Sequence, residues 1–541
     1  MTKASSLFII FSLFSVGSIK AQSHSTGTGL KNDIVKTANG LLQGFTDQET
    51  GIKNFWGIRY AQPPVGPLRW HAPQPVKSWQ GIRKADHFGP RAMQEPVFGD
   101  MRFRTDSMSE DCLYLNVWTP AQSPKAHLPV LVYFYGGGFV AGDGSEWRYD
   151  GASLAQKGIV VVTVNYRLGI FGFFAYPELT KESPHHASGN YGLLDQHAAI
   201  EWVRHNIAAF GGNPDHITIG GESAGSISVF AQMASPLSKN LIAGAIGESG
   251  AMINPTLPPI PLSEAEKRGV DFALSIGAHS LKDLRAIPAK ELSSEASKKG
   301  IPYFSATIDG YFFPRSPLAI FKEGRQAHIP LLVGWNSTEA PYMALMRGEM
   351  PSPENYAAII KQLYKDKADQ VLRLYPGNTR DEVIQSATDL ASDGFIVYST
   401  WKWAELQRET GKHPVYRYLF SHPRPDGWGM PENAKDFLPP PINGAAHSWE
   451  IEYALGNLRT NPVYPWTPVD YKVSATMTGY FAHFIKTGNP NGTGLPLWTG
   501  NTENQPVRVM DINLHSHLMP EPPQRRQQHE FLDRLYEKES N

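Results

Sequence analysis

One cysteine, Cys112, stands in 541 residues, so no internal disulfide can staple this chain. The core must hold by burial alone, even in a compartment where disulfides form freely. Neither sign of charge dominates: 50 Lys and Arg oppose 51 Asp and Glu, a formal net charge of −1. Without an overall field, nothing draws the chain to nucleic acid or to an anionic membrane, and any selectivity has to be local. The apolar stretch at residues 7–19 is short, about 13 residues against the roughly 20 of a membrane span, and Ser and Gly dilute it. With Lys3 ahead of it and the small Ala21 behind, it reads as a signal peptide over residues 1–21. Export is expected, secreted or periplasmic, with no stable membrane anchor. No H-E-x-x-H occurs, and His185-His186 has no carboxylate or cysteine in ligand spacing, so no metal and no cofactor are expected. Repeats of fixed period and low-complexity blocks are missing too, which sets aside solenoids and propellers.

Hydrophobic residues at 41% and charged residues at 19% supply a large buried core. Residues 23–29 are polar and small, as at a loose N-terminus, and the fold is expected to start near Leu30 as one domain within residues 22–541. Short apolar runs at 129–135 (PVLVYFY), 159–165 (IVVVTVN), 217–220 (ITIG) and 330–333 (PLLV) read as strands. Between the second and third, residues 191–210 place Leu193, Ile200, Val203, Ile207 and Phe210 on one helical face. Strand, helix and strand in this order build a crossover, so the fold class is α/β, a mostly parallel central sheet covered by helices on both faces. Pro-rich stretches at 254–262 and 437–442 read as surface excursions.

The sharpest local signal is GESAG, Gly221 to Gly225, a G-x-S-x-G nucleophile elbow. A motif this short arises by chance; its setting lifts it, with ITIG before and the helix-compatible AGSISVFAQMA after. Ser223 would then sit on a strand-to-helix turn whose flanking glycines leave its hydroxyl uncrowded. Such a hydroxyl needs a base, the base needs a third group to orient it, and the charge developing on a substrate oxygen needs donors. Tyr135-Gly136-Gly137-Gly138 ends a strand upstream, and the amides of Gly137, Gly138 and Ala224 are the expected oxyanion donors.

Seven stretches together resemble the type-B carboxylesterase family, which includes the cholinesterases and the bacterial para-nitrobenzyl esterases. They are FWGIRYAQPPVGPLRW from Phe55, SEDCLYLNVWTP from Ser109, YGGGF from Tyr135, NYRLGIFGF from Asn165, the long run from Gly189 through GESAG, GWNSTEA from Gly334 and GAAHSWEIEYALG from Gly444. The resemblance implies an α/β-hydrolase fold and a small-molecule ester as substrate, and it leaves the oligomeric state open. It makes Glu339 the acid and His447 the general base, in the chain order Ser, Glu, His that this fold requires. Ala340 stands where the family has glycine. Glu222 matches a buried family carboxylate near the catalytic histidine, either an electrostatic helper or an anion that fixes the elbow. Ser249 matches a serine that hydrogen-bonds the acid. His422 and Asp309 are rivals for base and acid, but the resemblance assigns them to a structural strand and a turn.

Two departures bear on substrate. Where most members pair the cysteine of E-D-C-L-Y-L-N with one upstream, residues 88–94 offer only Ala92, which leaves Cys112 a free buried thiol. Counting back from Cys112, the position of the choline-binding tryptophan falls near Arg102, and a guanidinium cannot cradle a quaternary ammonium. Cholinesterase activity is disfavoured. Arg102 and Arg104 at the mouth of the site would instead attract an ester bearing carboxylates, such as a natural-product ester, unless they are solvated loop arginines. A catalytically silent adhesion or binding module of the same fold is the reading from another class. A serine β-lactamase would need an S-x-x-K nucleophile, which the elbow lacks. Asn336 and Asn491 begin glycosylation sequons and carry no assignment.

Overall fold

The computed structural model describes residues 33–425, 444–461 and 463–539. The expected signal peptide, the polar stretch after it and the Pro-rich stretch at 437–442 lie outside the described residues. An 11-stranded sheet forms the centre. Its strands are β1 (Phe45–Thr46), β2 (Lys53–Arg59), β3 (Tyr114–Thr119), β4 (Leu128–Phe134), β5 (Val160–Val164), β6 (Gly212–Glu222), β7 (Gly244–Glu248), β8 (Leu331–Asn336), β9 (Val415–Phe420), β10 (Arg508–Ile512) and β11 (His517–Pro520). Their spatial order is β11-β10-β9-β8-β7-β6-β4-β5-β3-β2-β1. From β5 across to β10 every neighbouring pair is parallel. The pairs at the two margins are antiparallel.

The four expected runs are β4, β5, β6 and β8. The parallel strands are apolar throughout because both faces are covered: all five residues of β5 and all six of β8 are buried. β6 starts earlier than ITIG predicts, because Gly212 already pairs with Leu128 across a register shift. The helix predicted over 191–210 is α1 (Tyr191–Asn206), whose last turn, Ile207–Phe210, tightens to a 3-10 helix and stops at Gly211 with φ 81°. A left-handed glycine lets the chain leave the helix and enter β6 at once. α1 is tied down by a buried ion pair: Arg167, just after β5, reaches both carboxylate oxygens of Asp195, at 2.8 and 2.7 Å.

Strand order reverses at β4, which has β5 on one side and β6 on the other. A crevice opens outside the carboxyl ends of the strands at such a point, and there open α/β sheets carry their ligands. One large apolar cluster runs through the sheet and its helices. A smaller one, around Trp70, Phe171, Phe174 and Phe272, packs beside it. Cys112 is buried and unpaired. Both sequon asparagines have structural work: Asn336 is buried and its amide donates to the Ala446 carbonyl, while Asn491 brackets the backbone of Trp498.

α2 (Ala224–Ala234) leaves β6 so tightly that a Cβ on Gly225 would lie 2.0 Å from the carbonyl oxygen of Phe134 in β4. Gly225→Ala should therefore cost about 2 kcal/mol of stability, the usual penalty for overpacking a site that cannot relax. Denaturant unfolding measures it, and an unchanged midpoint would contradict the contact.

Candidate active site

The turn between β6 and α2 holds Ser223 at φ 55°, ψ −119°. That is a sparsely populated region for a residue with a Cβ, costing on the order of 1–3 kcal/mol, so surrounding contacts have to impose it. The Ser223 amide donates to the Glu248 carbonyl of β7 (2.8 Å), and its carbonyl accepts from Ile227 (2.9 Å). A Cβ on Gly221 would meet the Gly225 backbone at 2.5 Å. Only glycines let the two arms of the elbow close, which is the local reason for the spacing in GESAG.

His447 Nε2 lies 2.9 Å from Ser223 Oγ, and its Nδ1 lies 2.6 Å from Glu339 Oε2. The other Glu339 oxygen accepts from Ser249 Oγ (2.5 Å) and from the Asn336 amide (2.6 Å). Three strand ends supply this chain: β6 leads into Ser223, β7 into Ser249, and β8 into Glu339. Ala340, in place of glycine, does not need a left-handed φ, and its amide donates to Ser392 Oγ. That substitution therefore costs no backbone freedom the loop uses. A hydroxyl bonded to an imidazole that is bonded to a buried carboxylate can pass its proton to the ring and leave the resulting imidazolium stabilised.

Glu222 is also within reach of the ring, its Oε1 3.3 Å from His447 Nε2 and without a hydrogen bond of its own. Burial pushes its carboxyl up to about 7 against the opposing pull of His447 and Arg148. Burial of the imidazole works against its charge, but the adjacent Glu222 and Glu339 outweigh that and raise His447 to about 9. The surroundings thus favour the imidazolium, the form the ring takes after accepting the serine proton.

Opposite the elbow, β4 runs into the loop of Gly136, Gly137 and Gly138, the latter two at φ 107° and 59°. Both line the cavity, and no acceptor among the described residues takes either N–H. Ala224 opens α2, so its N–H has no partner inside the helix. The three amides expected from the sequence are thus free to donate.

The cavity above Ser223 has a volume of about 440 Å³. Its walls are mostly apolar, with Phe98, Met101, Val140, Ile227, Leu257 and Phe395 among them. Pro255 and Leu257 belong to the stretch read from the sequence as a surface excursion; they form cavity wall instead. Neither expected arginine lines the cavity. Arg104 pairs with Asp150 (2.7 Å), donates to the Ser145 carbonyl and lies over the rings of Phe88 and Trp147. Arg102 is exposed and faces a neighbouring small hollow beside Trp147 and Tyr464. Sequence reasoning missed Asp100 and Arg148, which do line it, because nothing in GDM or WRYD marks a site. Arg148 is already held by Glu146 (2.8 Å) and Asp100 (3.1 Å). The rivals sit elsewhere: His422 is bonded to Asp470 (2.8 Å), and Asp309 closes a turn by accepting the amides of Tyr311 and Phe313.

Known proteins resemble the chain over most of its length. The sequence model described as "Carboxylesterase family" matches residues 31–531. The chain is 35% identical to the fumonisin B1 esterase of Sphingopyxis macrogoltabida over 482 residues, 84% of this chain and 82% of that one. It is 33% identical to the para-nitrobenzyl esterase of Bacillus subtilis over 513 residues, 92% and 98% of the two chains. A solved PNB esterase superposes with a TM-score of 0.76 at 31% identity, covering 92% of this chain and 99% of its own. The architecture is the α/β-hydrolase fold.

The carboxylate beside the ring yields a pH prediction. An anionic Glu222 stabilises the protonated imidazole, so Glu222→Gln lowers the His447 pKa, and neutral base becomes available at lower pH. The ascending limb of kcat/KM should move about one unit toward acid. A limb that stays in place or moves upward would contradict the coupling.

Proposed function

The chain belongs to the carboxylesterase family and hydrolyses carboxylic esters, and from that premise we propose that it works through an acyl-enzyme on Ser223. His447 takes the hydroxyl proton as the oxygen attacks the ester carbonyl. The amides of Gly137, Gly138 and Ala224 receive the charge that develops on the carbonyl oxygen. His447 returns the proton to the departing alcohol, and Glu339 stabilises the imidazolium. Water then repeats the sequence on the acyl group, with the same histidine as base, and releases the acid. The observation that carries this reading is the unbroken chain from Ser223 Oγ through His447 to Glu339, at 2.9 and 2.6 Å. The relatives above are named as esterases, so the reading as a silent adhesion module falls away. Secretion or a periplasmic location rests on residues 1–21 alone.

For the substrate we favour an uncharged ester over one bearing carboxylates. The expected arginines are turned away from the cavity, and Arg148 shares its guanidinium between Glu146 and Asp100. An anionic group would have to enter beside Asp100 and Glu222, among mostly apolar walls. A cavity of about 440 Å³ lies in the ordinary range for clefts that take small-molecule ligands.

Ser223→Ala should keep the fold and lower kcat roughly a thousandfold or more, measured on purified protein. Turnover near the wild-type rate would sink the assignment. In a panel of matched esters, kcat/KM for a neutral butyrate should exceed that for the hemisuccinate by about tenfold or more, the equivalent of one uncompensated charge contact. Equal values, or a preference for the hemisuccinate, would return the site to carboxylate-bearing esters.

A further inference from the structure

The two glycines that offer amides to the oxyanion are held in different ways. A Cβ on Gly137 would lie 2.3 Å from the Ala141 carbonyl oxygen and 2.8 Å from Met101 Cε, so packing fixes that residue. Its carbonyl, in one planar peptide with the Gly138 N–H, accepts from the amides of Val140 and Ala141, which closes the turn on itself. At Gly138 a Cβ would meet nothing closer than Val140 Cγ2, at 3.8 Å, so no packing against the Cα fixes this residue. It has φ 59°, and Phe139 after it has φ 58°. A turn through such a glycine needs a hold from outside if its amide is to meet a transition state in a fixed direction.

One side chain supplies a tether. The Tyr303 hydroxyl donates to the Gly138 carbonyl across a sequence separation of 165 residues. Tyr303 stands in segment 297–306, which has no regular structure and joins the helix Ala289–Ala296 to the short strand Thr307–Ile308. Its neighbour Phe304 packs on Phe174 and Phe272 of the smaller apolar cluster. Phe304 thus anchors the segment on the smaller apolar cluster, and Tyr303 lines the cavity wall. Beyond Gly138, the Phe139 carbonyl accepts from the Gly169 amide (2.7 Å), so two successive carbonyls tie the loop to its surroundings.

We propose that Tyr303 is a positioning residue, whose hydroxyl fastens from outside the turn that carries the Gly138 amide, so that this amide meets the oxyanion. The inference rests on the reading of Gly137 and Gly138 as oxyanion donors. It makes segment 297–306 part of the catalytic machinery through one hydrogen bond rather than through contact with the reacting atoms. Because the bond matters most when charge develops, its loss falls on kcat and on transition-state analogues, while ground-state affinity is spared.

The test compares wild type with Tyr303→Phe, which keeps the ring and removes only the hydroxyl. With p-nitrophenyl butyrate as substrate, kcat should fall about tenfold with KM within about twofold, a fraction of the effect of deleting an oxyanion donor outright. The Ki of an alkyl trifluoromethyl ketone, which forms a tetrahedral adduct with the serine, should rise by the same factor, with the thermal midpoint unchanged. Tyr303→Leu, lacking ring and hydroxyl, should show the same loss in kcat with an added rise in KM. A Tyr303→Phe enzyme with wild-type kcat and Ki, or one that loses only in KM, would overturn the proposal and leave the oxyanion reading standing. Failure of the wild-type enzyme to bind the ketone would overturn the oxyanion reading itself.

Discussion

The active site depends on a backbone contact at the elbow. Gly225 lies against the carbonyl of Phe134, and Gly221 pairs with the same residue in the register of β4 and β6. Side chains at either glycine would push apart the two strands whose ends carry the nucleophile and the oxyanion loop. Their closeness brings Ser223 and Gly137 to the wall of one cavity. It also forces Ser223 into its strained turn, a cost that the surrounding strands absorb.

Around that turn the protein buries carboxylates. Glu222, Glu248, Glu339 and Glu450 are all nearly inaccessible, and burial drives the carboxyls of Glu222, Glu248 and Glu450 upward. Three of them have donors: Tyr133 donates to Glu248, Asn336 to Glu450, and Ser249 and the Asn336 backbone amide to Glu339. Glu222 turns to the ring an Oε1 that has no hydrogen bond of its own among the described residues. In the proposed mechanism this arrangement would separate two duties. Glu339, locked by donors, orients the imidazole, and Glu222 adds negative potential on the side where the proton arrives. Both stabilise the imidazolium that forms as the serine attacks, and both make the resting base harder to keep neutral.

The parts of this design that obey local rules were legible in the sequence. Parallel strands must be apolar on both faces, so PVLVYFY and IVVVTVN announced themselves; an elbow needs glycines on both flanks, so GESAG did too. Family resemblance located Glu339, His447 and Ser249, and the structure sets both His447 and Ser249 within hydrogen-bonding distance of Glu339. What could not be read was which loop residues face the cavity. Arg102 and Arg104 were placed near the mouth by counting from Cys112, and counting says nothing of direction: Asp150 and two aromatic rings claim Arg104, while Met101 and Asp100 turn inward. The Pro-rich segment containing Pro255 and Leu257 was misjudged in the same way, since a loop can be surface on one side and cavity wall on the other. Tyr303 carried no motif at all; its role arises from a contact 165 residues away in the chain.

The central claim is that Ser223, activated by His447, carries the covalent step. Its most direct measurement is peptide mass spectrometry of the enzyme after inactivation by diethyl p-nitrophenyl phosphate. The account predicts one diethylphosphoryl group per chain, on Ser223, appearing in step with the loss of esterase activity. An inactivated enzyme labelled at another residue, or one that stays fully active with Ser223 modified, would contradict it.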